Sequence, residues 1–182
     1  LARTDGEIEA ALRKMKIAPK DIDVIAGGPP CNGFSRNGVR KYQNSDRTIR
    51  FFDDPRNHLY KSFLAFVKYV RPKIVLIENV REFLNFGGGK FSEDLEKQIC
   101  EYGYDVSFRK LFAAEFGVPQ KRYRVFYMCV RKDVSDYTGR GPEFPAPEFS
   151  DNVASHQASL FARPYRTVFD AISDLPNPHS DK

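Results

Sequence analysis

The apolar residues of this chain fall into short blocks of two kinds. Residues 22–26 and 73–80 are short, mainly apolar runs, rich in β-branched side chains and bounded by Gly, Pro or charged residues, which is typical of buried strands. Residues 57–70 and 92–102 carry apolar side chains at spacings of three and four, which predicts helices with one buried face. Strands alternating with helices indicate an open α/β sheet.

The inward faces of the predicted helices can be read from the same spacing. Thr4 and Glu7 have the spacing of a capping box at the start of a further helix, which Pro19 ends. The predicted inward residues are Ile8, Leu12 and Met15 in that helix, Leu59, Phe63, Phe66, Val67 and Val70 in the next, and Phe91, Leu95 and Ile99 in the third, with Gly103 as its C-cap.

Two more strands are predicted at residues 105–112 and 123–130. Right-handed crossovers make the earlier strands parallel, whereas the short loop before the last strand makes that strand antiparallel to its neighbour. We therefore expect a mostly parallel sheet with one antiparallel strand near its C-terminal end. Residues 1–134 are expected to form a partial catalytic domain, and 135–182, rich in Pro, Ser and Asn, a linker with a short helix.

Composition limits the classes of protein to consider. The 182 residues are 41% hydrophobic and 14% aromatic, enough for one folded core. Lys and Arg number 29 against 24 acidic residues, a net charge of +5, which suits a polyanionic partner but equally a solvated basic surface. No apolar run approaches the length of a membrane helix, so no membrane partner is expected.

Cysteine and histidine usage points away from metal sites. The three cysteines, Cys31, Cys100 and Cys129, form no CxxC pair, and the three histidines are scattered, so neither a zinc site nor a disulfide framework is expected. A reducing, intracellular compartment follows. Cys100 and Cys129 are expected in the core. The chain starts without an initiator Met or a signal peptide, so we expect it to be cut from a longer protein.

Reactive side chains lie where the predicted strands meet one edge of the sheet. Cys31 follows the first strand, Glu78 ends the second, and Arg122 and Arg124 stand at the start of the last. Ligands of open α/β sheets bind at the carboxyl ends of the parallel strands. A thiolate can add to an electron-poor pyrimidine ring while a carboxyl group and a guanidinium stabilise the charge that develops.

The motifs around these residues resemble those of the cytosine-C5 DNA methyltransferases. Gly27-Gly-Pro-Pro-Cys-Asn-Gly-Phe-Ser35 is similar to the family's catalytic Pro-Cys motif, Ile77-Glu-Asn-Val80 to its Glu-Asn-Val motif, and Gln120-Lys-Arg-Tyr-Arg124 to its Gln-x-Arg-x-Arg motif. They occur in the family's order, and the resemblance extends over about residues 20–176. It implies a Rossmann-like sheet that binds S-adenosylmethionine and duplex DNA, and a target cytosine flipped out of the stack.

The resemblance also implies a role for each matching residue. Cys31 would be the nucleophile, Glu78 the partner of cytosine nitrogen 3 and Arg124 the donor to the cytosine oxygen, with Arg122 beside it. The remaining positions are Pro30 and Leu59 for the cofactor pocket, and Ser35, Arg36, Arg40 and Lys41 for DNA.

Some alternatives and departures stay open. Cys31 would otherwise be a buried structural thiol, and the other polar residues would face solvent. A catalytically silent DNA-binding or regulatory relative, or an RNA cytosine-C5 methyltransferase, would carry similar motifs. Residue 32 is Asn where the family most often has Gln. The family's Gly-rich cofactor loop is expected before residue 1 and its target-recognition domain after residue 182, so the chain alone is expected to be inactive. Restriction-modification and gene regulation both remain possible roles.

Overall fold

The computed structural model describes residues 3–30, 58–151 and 163–176. The helices in this part of the chain are α1 (Asp5–Met15), α2 (Leu59–Val70), α3 (Lys90–Glu101), α4 (Lys132–Thr138) and α5 (Val168–Ile172), with short 3-10 turns at Pro19–Asp21, Arg81–Leu84, Phe86–Gly89 and Ala113–Phe116. The strands are β1 (Val24–Gly27), β2 (Ile74–Val80), β3 (Tyr104–Phe112), β4 (Tyr123–Arg131), β5 (Phe149–Ser150) and β6 (Arg163–Pro164).

The described chain divides into two compact units. The first unit comprises Leu1–Lys110 and Val125–Phe144, and the second comprises Leu111–Arg124 and Pro145–Lys182. Helix α4 begins at Lys132 and covers the first residues of the predicted linker. The predicted short helix near the C-terminal end is present as α5. None of the helices in the described ranges combines the length and the apolar character that crossing a membrane would require.

The sheet has the strand order β1-β2-β4-β3, and β1 and β2 are parallel. The last residue of β4, Arg131, donates its backbone N–H to the carbonyl of Lys73, just before β2, at 2.9 Å. The next residue, Lys132, donates to the carbonyl of Gly103, just before β3, also at 2.9 Å. Strand β4 therefore runs antiparallel to both neighbours, and the prediction of a mostly parallel sheet with one reversed strand is confirmed. Strand β4 begins at the edge where β2 ends.

Helix α1 shows how local sequence signals define an element. Thr4 and Glu7 form the predicted capping box, with the Thr4 backbone N–H donating to the Glu7 carboxylate at 2.8 Å. Ile8 and Leu12 are buried as predicted. The prediction for Met15 was wrong, since its side chain is 56% exposed. The helix ends there, and no further turn covers it.

Helix α2 buries Val67 and Val70 as predicted, but the rest of its inward face differs from the prediction. Its buried residues are Tyr60, Leu64, Val67 and Val70, whereas Leu59, Phe63 and Phe66 are half-buried. The reason is that Tyr60 points inward, where its hydroxyl donates to the Asp94 carboxylate of α3 at 2.5 Å. Helix α3 buries Phe91, Leu95 and Ile99 as predicted, and the left-handed Gly103 follows its end.

The two cysteines among the described residues have different environments. Cys129 on β4 is fully buried in the core, as predicted, and burial raises the pKa of its thiol to about 12. The prediction that Cys100 is also in the core was wrong, because its side chain is exposed. It follows the buried Ile99 on α3 by one residue, about 100° around the helix, and so leaves the inward face.

In the second unit, several aromatic rings pack against one another. The Phe112 ring stacks on Tyr123, with centroids 4.4 Å apart, and meets Tyr165 edge-on. Gly117 has a φ of 79°, and a Cβ there would lie 2.9 Å from the Phe149 ring, so both conformation and space favour glycine. Strands β5 and β6 form a short parallel pair.

Candidate active site

The register of β1 and β2 brings the first two motifs of the sequence together. Gly27, the last residue of β1, is paired with Ile77 of β2. Both strands are parallel, so the next residues, Gly28 and Glu78, lie side by side at the carboxyl end of the sheet. This is the edge at which open α/β sheets bind their ligands.

Two glycines at the end of β1 leave room for neighbouring side chains. A Cβ on Gly27 would lie 2.5 Å from the Cε2 atom of Phe63 on α2, a distance that real Cβ atoms do not show. A Cβ on Gly28 would lie 3.0 Å from Oε2 of Glu78. The first glycine is thus needed for the contact with α2, and the second leaves room for the Glu78 carboxyl group.

Asn79 joins the same two segments from the buried side. Its side chain is 3% exposed. The amide nitrogen donates a long hydrogen bond to the Pro29 carbonyl at 3.5 Å, and the amide oxygen accepts from the backbone N–H of Val80 at 2.9 Å. The Gly28–Pro29 backbone is therefore flanked by the side chains of consecutive residues, Glu78 and Asn79. Glu78 itself is half-buried.

Pro30 and Leu59 were predicted to line a cofactor pocket. Pro30, at the end of the first described range, is exposed, and Leu59 is half-buried at the start of helix α2. Both side chains are apolar and partly accessible, so they fit nonpolar contacts with a bound group. They carry no donor or acceptor that would hold its charged parts.

The two predicted arginines belong to the second unit. Arg122 is exposed, and its carbonyl accepts from the backbone N–H of Ala113 at 2.8 Å. Arg124 is half-buried, and its guanidinium donates to the carbonyl of Tyr123 at 2.8 Å. The contacts that join Gly28 to Glu78 lie in the first unit, so the structure brings together two of the three motifs.

The second unit contains a cavity of about 850 Å³. Its walls include the aromatic rings of Phe112, Tyr123 and Tyr165 and the cationic side chains of Lys121 and Arg166. Two carboxylates, Glu115 and Asp151, also line it. The sequence did not indicate this cavity.

Five of the predicted site residues lie outside the described residues. They are Cys31, Ser35, Arg36, Arg40 and Lys41. Of the other two cysteines, Cys129 has its pKa raised to about 12 by burial, which makes it a poor nucleophile near neutral pH. Among the described residues, no group of three metal-ligating side chains is present.

Asn79 and Gly28 were not singled out by sequence reasoning. A signal was available for each of them. Asn79 is an amide inside a run of apolar strand residues, where a buried polar group needs a hydrogen-bond partner. Gly28 follows a strand directly, where glycine often marks a close approach of backbone to another group.

Fold and site together define an α/β domain with a carboxylate at the carboxyl edge of its sheet. A statistical model of the family described as C-5 cytosine-specific DNA methylase matches residues 3–180. The match spans almost the whole chain, and the chain belongs to this family.

Individual relatives agree with this assignment. The chain is 37% identical over 179 residues to the type II methyltransferase M.AquIA of Picosynechococcus sp., covering 92% of this chain and 66% of the relative. It is 39% identical over 166 residues to the type II methyltransferase M.AgeI of Thalassovita gelatinovora, covering 88% and 36%.

A solved structure shows the same fold. A crystal structure described as that of a DNA modification methyltransferase encoded within an E. coli prophage superposes with a TM-score of 0.61 at 27% identity. The superposition covers 96% of this chain and 41% of that one. The chain thus spans between about a third and two thirds of the length of the curated relatives named here.

Proposed function

We propose that the protein carrying this chain is a DNA (cytosine-5-)-methyltransferase, which transfers a methyl group from S-adenosylmethionine to carbon 5 of a flipped-out cytosine. The observation that carries the proposal is the contact of the Gly28–Pro29 backbone with Glu78 and Asn79. Cys31 follows Pro29 by two residues. A chain anchored at Pro29 keeps the Cα atom of Cys31 within about 7 Å of the Pro29 Cα atom, since two residues span no more.

Cys31 is the nucleophile in this proposal. Its thiolate adds to carbon 6 of the cytosine ring, which interrupts the aromatic system and makes carbon 5 electron-rich. Carbon 5 would then bond to the methyl group as the bond from that group to the sulfonium sulfur of S-adenosylmethionine breaks, and the donor would leave as a neutral thioether. Removal of the carbon 5 proton by a base re-forms the double bond as the Cys31 sulfur leaves, so the cysteine is regenerated. The target cytosine must be flipped out of the duplex, because carbons 5 and 6 are not accessible for both steps within a stacked duplex.

Glu78 stabilises the ring while the sulfur adds. A carboxyl group at nitrogen 3 donates a hydrogen bond or a proton to the atom on which negative charge develops. Arg124 donates to the cytosine oxygen, and Arg122 supports the same site. The support for these two roles is the Gln120-Lys-Arg-Tyr-Arg124 motif, which leads into β4.

Pro30 and Leu59 would contribute nonpolar contacts to bound S-adenosylmethionine, which supplies an electrophilic methyl group when bound. Ser35, Arg36, Arg40 and Lys41 would contact DNA phosphates, as suits one hydroxyl and three cationic side chains. A DNA substrate also implies an intracellular enzyme. The net charge of +5 agrees with a polyanionic substrate.

Trapping tests the proposal in the intact protein. DNA that carries 5-fluorocytosine has no removable proton at carbon 5, so the thioether to Cys31 persists after methyl transfer. We expect a covalent protein–DNA adduct that requires S-adenosylmethionine and is lost in Cys31→Ser. An adduct that persists in Cys31→Ser would contradict the assigned nucleophile. Retained DNA binding without any adduct would favour a silent relative instead.

Substrate choice needs a second measurement. Transfer of a labelled methyl group to duplex DNA and to tRNA should be compared under the same conditions. We expect incorporation into cytosine of DNA, well above incorporation into tRNA. Methylation of tRNA alone would establish the RNA alternative and overturn the DNA assignment.

A further inference from the structure

Asn79 and Ser92 are the buried polar residues of the described part of the chain, and their environments differ. Ser92 is 5% exposed and interacts with two side chains, the Tyr127 hydroxyl at 2.6 Å and the Glu96 carboxylate at 3.0 Å. All three belong to the core elements α3 and β4. The described hydrogen bonds of Asn79 instead go to backbone groups, at the ends of β1 and β2.

The two bonds of Asn79 have different consequences. The bond from the Val80 N–H to the amide oxygen is local and fixes the rotamer of the side chain. With the oxygen so held, the amide nitrogen faces the Pro29 carbonyl, 50 residues away in sequence. A proline nitrogen has no hydrogen to donate, so Pro29 and Pro30 cannot be held through their own N–H groups. Their carbonyls are the remaining backbone groups by which this segment can be fixed.

We propose that Asn79 is a positioning residue for the nucleophile: its amide holds the Pro29 carbonyl and so sets where the Gly28–Pro29–Pro30 segment leaves the sheet beside Glu78. Asn79 does not touch the reacting atoms. It acts through the backbone that leads to Cys31, while its neighbour Glu78 acts on the base. The inference rests on the proposed function.

For the thiol and the Glu78 carboxyl group to act on one cytosine, Glu78 and the proline segment must keep a fixed relative position. Glu78 and Asn79 are adjacent in β2, so a shift of this strand moves the carboxyl group and the anchor of the proline segment together. Loss of the anchor would separate these positions. A misplacement of about 1 Å can cost on the order of 100-fold in rate.

Asn79→Ala removes both bonds, and Ser92→Ala is the matched control because it removes comparable bonds from an equally buried site. In the intact protein, with saturating 5-fluorocytosine DNA and methyl donor, we expect the rate of adduct formation to fall about 10- to 100-fold in Asn79→Ala and to stay within about twofold in Ser92→Ala. The affinity for DNA should change little in both. Equal losses in the two variants, or an unchanged rate in Asn79→Ala, would overturn the proposal.

Asn79→Asp guards against a variant that fails to fold. An aspartate keeps the size and the acceptor for Val80 N–H, and at an alkaline pH that ionises it, its carboxylate cannot donate to the Pro29 carbonyl. We expect a folded protein with a similarly reduced rate of adduct formation. A folded Asn79→Asp protein that reacts at the wild-type rate would also overturn the proposal.

Hydrogen exchange separates this inference from the proposed function, since it needs no turnover. A peptide covering residues 24–30 reports on the amides of Gly27 and Gly28. We expect faster exchange there in Asn79→Ala than in wild type or Ser92→Ala. If wild type forms no adduct but this difference is present, the proposed function fails and the contact stands. If wild type forms the adduct and exchange is unchanged, the positioning role fails.

Discussion

Gly28 lies directly beside Glu78 where β1 and β2 end, and a Cβ at Gly28 would come within 3.0 Å of the carboxylate oxygen Oε2. The backbone carbonyl of Glu78 would be 3.6 Å from the same Cβ, an ordinary van der Waals distance. The crowding therefore falls on the end of the Glu78 side chain. This glycine leaves the space that the carboxyl group occupies.

Gly28→Ala is expected to impair activity more than stability. The Glu78 side chain can turn away from an added methyl group at small cost, but its carboxyl group is then displaced from the site. We expect methyl transfer to fall at least about 10-fold while the free energy of unfolding changes by less than about 1 kcal/mol. Steady-state methylation and urea unfolding measure the two quantities.

Gly6→Ala provides the control for this substitution. Gly6 lies in α1 with no atom within 4 Å of an added Cβ, so the same change should stabilise the helix by roughly 0.5–1 kcal/mol and leave activity unaltered. Full activity in Gly28→Ala would show that the position of the Glu78 carboxyl group does not depend on this glycine.

Gly27→Ala should act in the opposite way, mainly on stability. The added Cβ would lie 2.5 Å from Cε2 of Phe63, a ring on α2 that packs against the core. Such overpacking costs typically about 1–3 kcal/mol. Urea unfolding should show this loss, and Phe63→Leu in the same protein should recover part of it. Strictly additive effects in the double-mutant cycle would contradict the contact.

The order and direction of the elements could be predicted because local signals determine them. The capping box of Thr4 and Glu7, the apolar run of β2 and the short connection before β4 each act over a few residues. Local signals alone did not determine the inward face of helix α2. Helix α2 has apolar residues on more than one stripe, and the bond between Tyr60 and Asp94, 34 residues apart, accompanies burial of the Tyr60 stripe.

In the candidate site, the place of Glu78 on its strand could be predicted from local sequence, but the contacts around it could not. Placing Glu78 at the end of a strand needed only the length of the apolar run. The contacts of Asn79 with Pro29 and of Gly28 with Glu78 depend on the register between β1 and β2, in which Gly27 pairs with Ile77. A shift of one residue would place other side chains beside the proline segment, and no local pattern determines that register.

Arg124 is expected to matter through its donors and not only through its charge. If its guanidinium binds the cytosine oxygen, Arg124→Ala should lower the rate of methyl transfer by about 100- to 1,000-fold, the usual cost of losing a donor to a developing negative charge. Arg124→Lys should recover only part, because an ammonium lacks the planar arrangement of donors. Single-turnover methylation measures both.

Arg109→Ala controls for the loss of positive charge. Arg109 is an exposed residue on β3, and its guanidinium lies 5.4 Å from the centre of the Phe144 ring. Its removal should leave the rate of the chemical step within about twofold of wild type. A wild-type rate in Arg124→Ala would remove this residue from the proposed site.

Burial of Cys129 predicts a loss of stability in alkaline solution. The pKa of its thiol is raised from 9.0 to about 12 by burial on β4. The folded state thus keeps the proton between these values while the unfolded state releases it, so the contribution is fully present below pH 9 and is lost as the pH rises towards 12. The free energy of unfolding should fall by about 1.4 kcal/mol per pH unit from this thiol alone.

Urea unfolding between pH 8 and pH 10.5 tests this expectation with two variants. Cys129→Ala removes the buried thiol, so its stability should fall less steeply above pH 9 than that of wild type, although the cavity lowers its stability at every pH. Cys100→Ala removes an exposed thiol and leaves no core cavity, and its stability should still fall above pH 9 because Cys129 is retained. Parallel curves for wild type and Cys129→Ala would mean that the alkaline loss comes from other groups. Tyr104, whose pKa burial raises to about 12, would then be the residue to replace next.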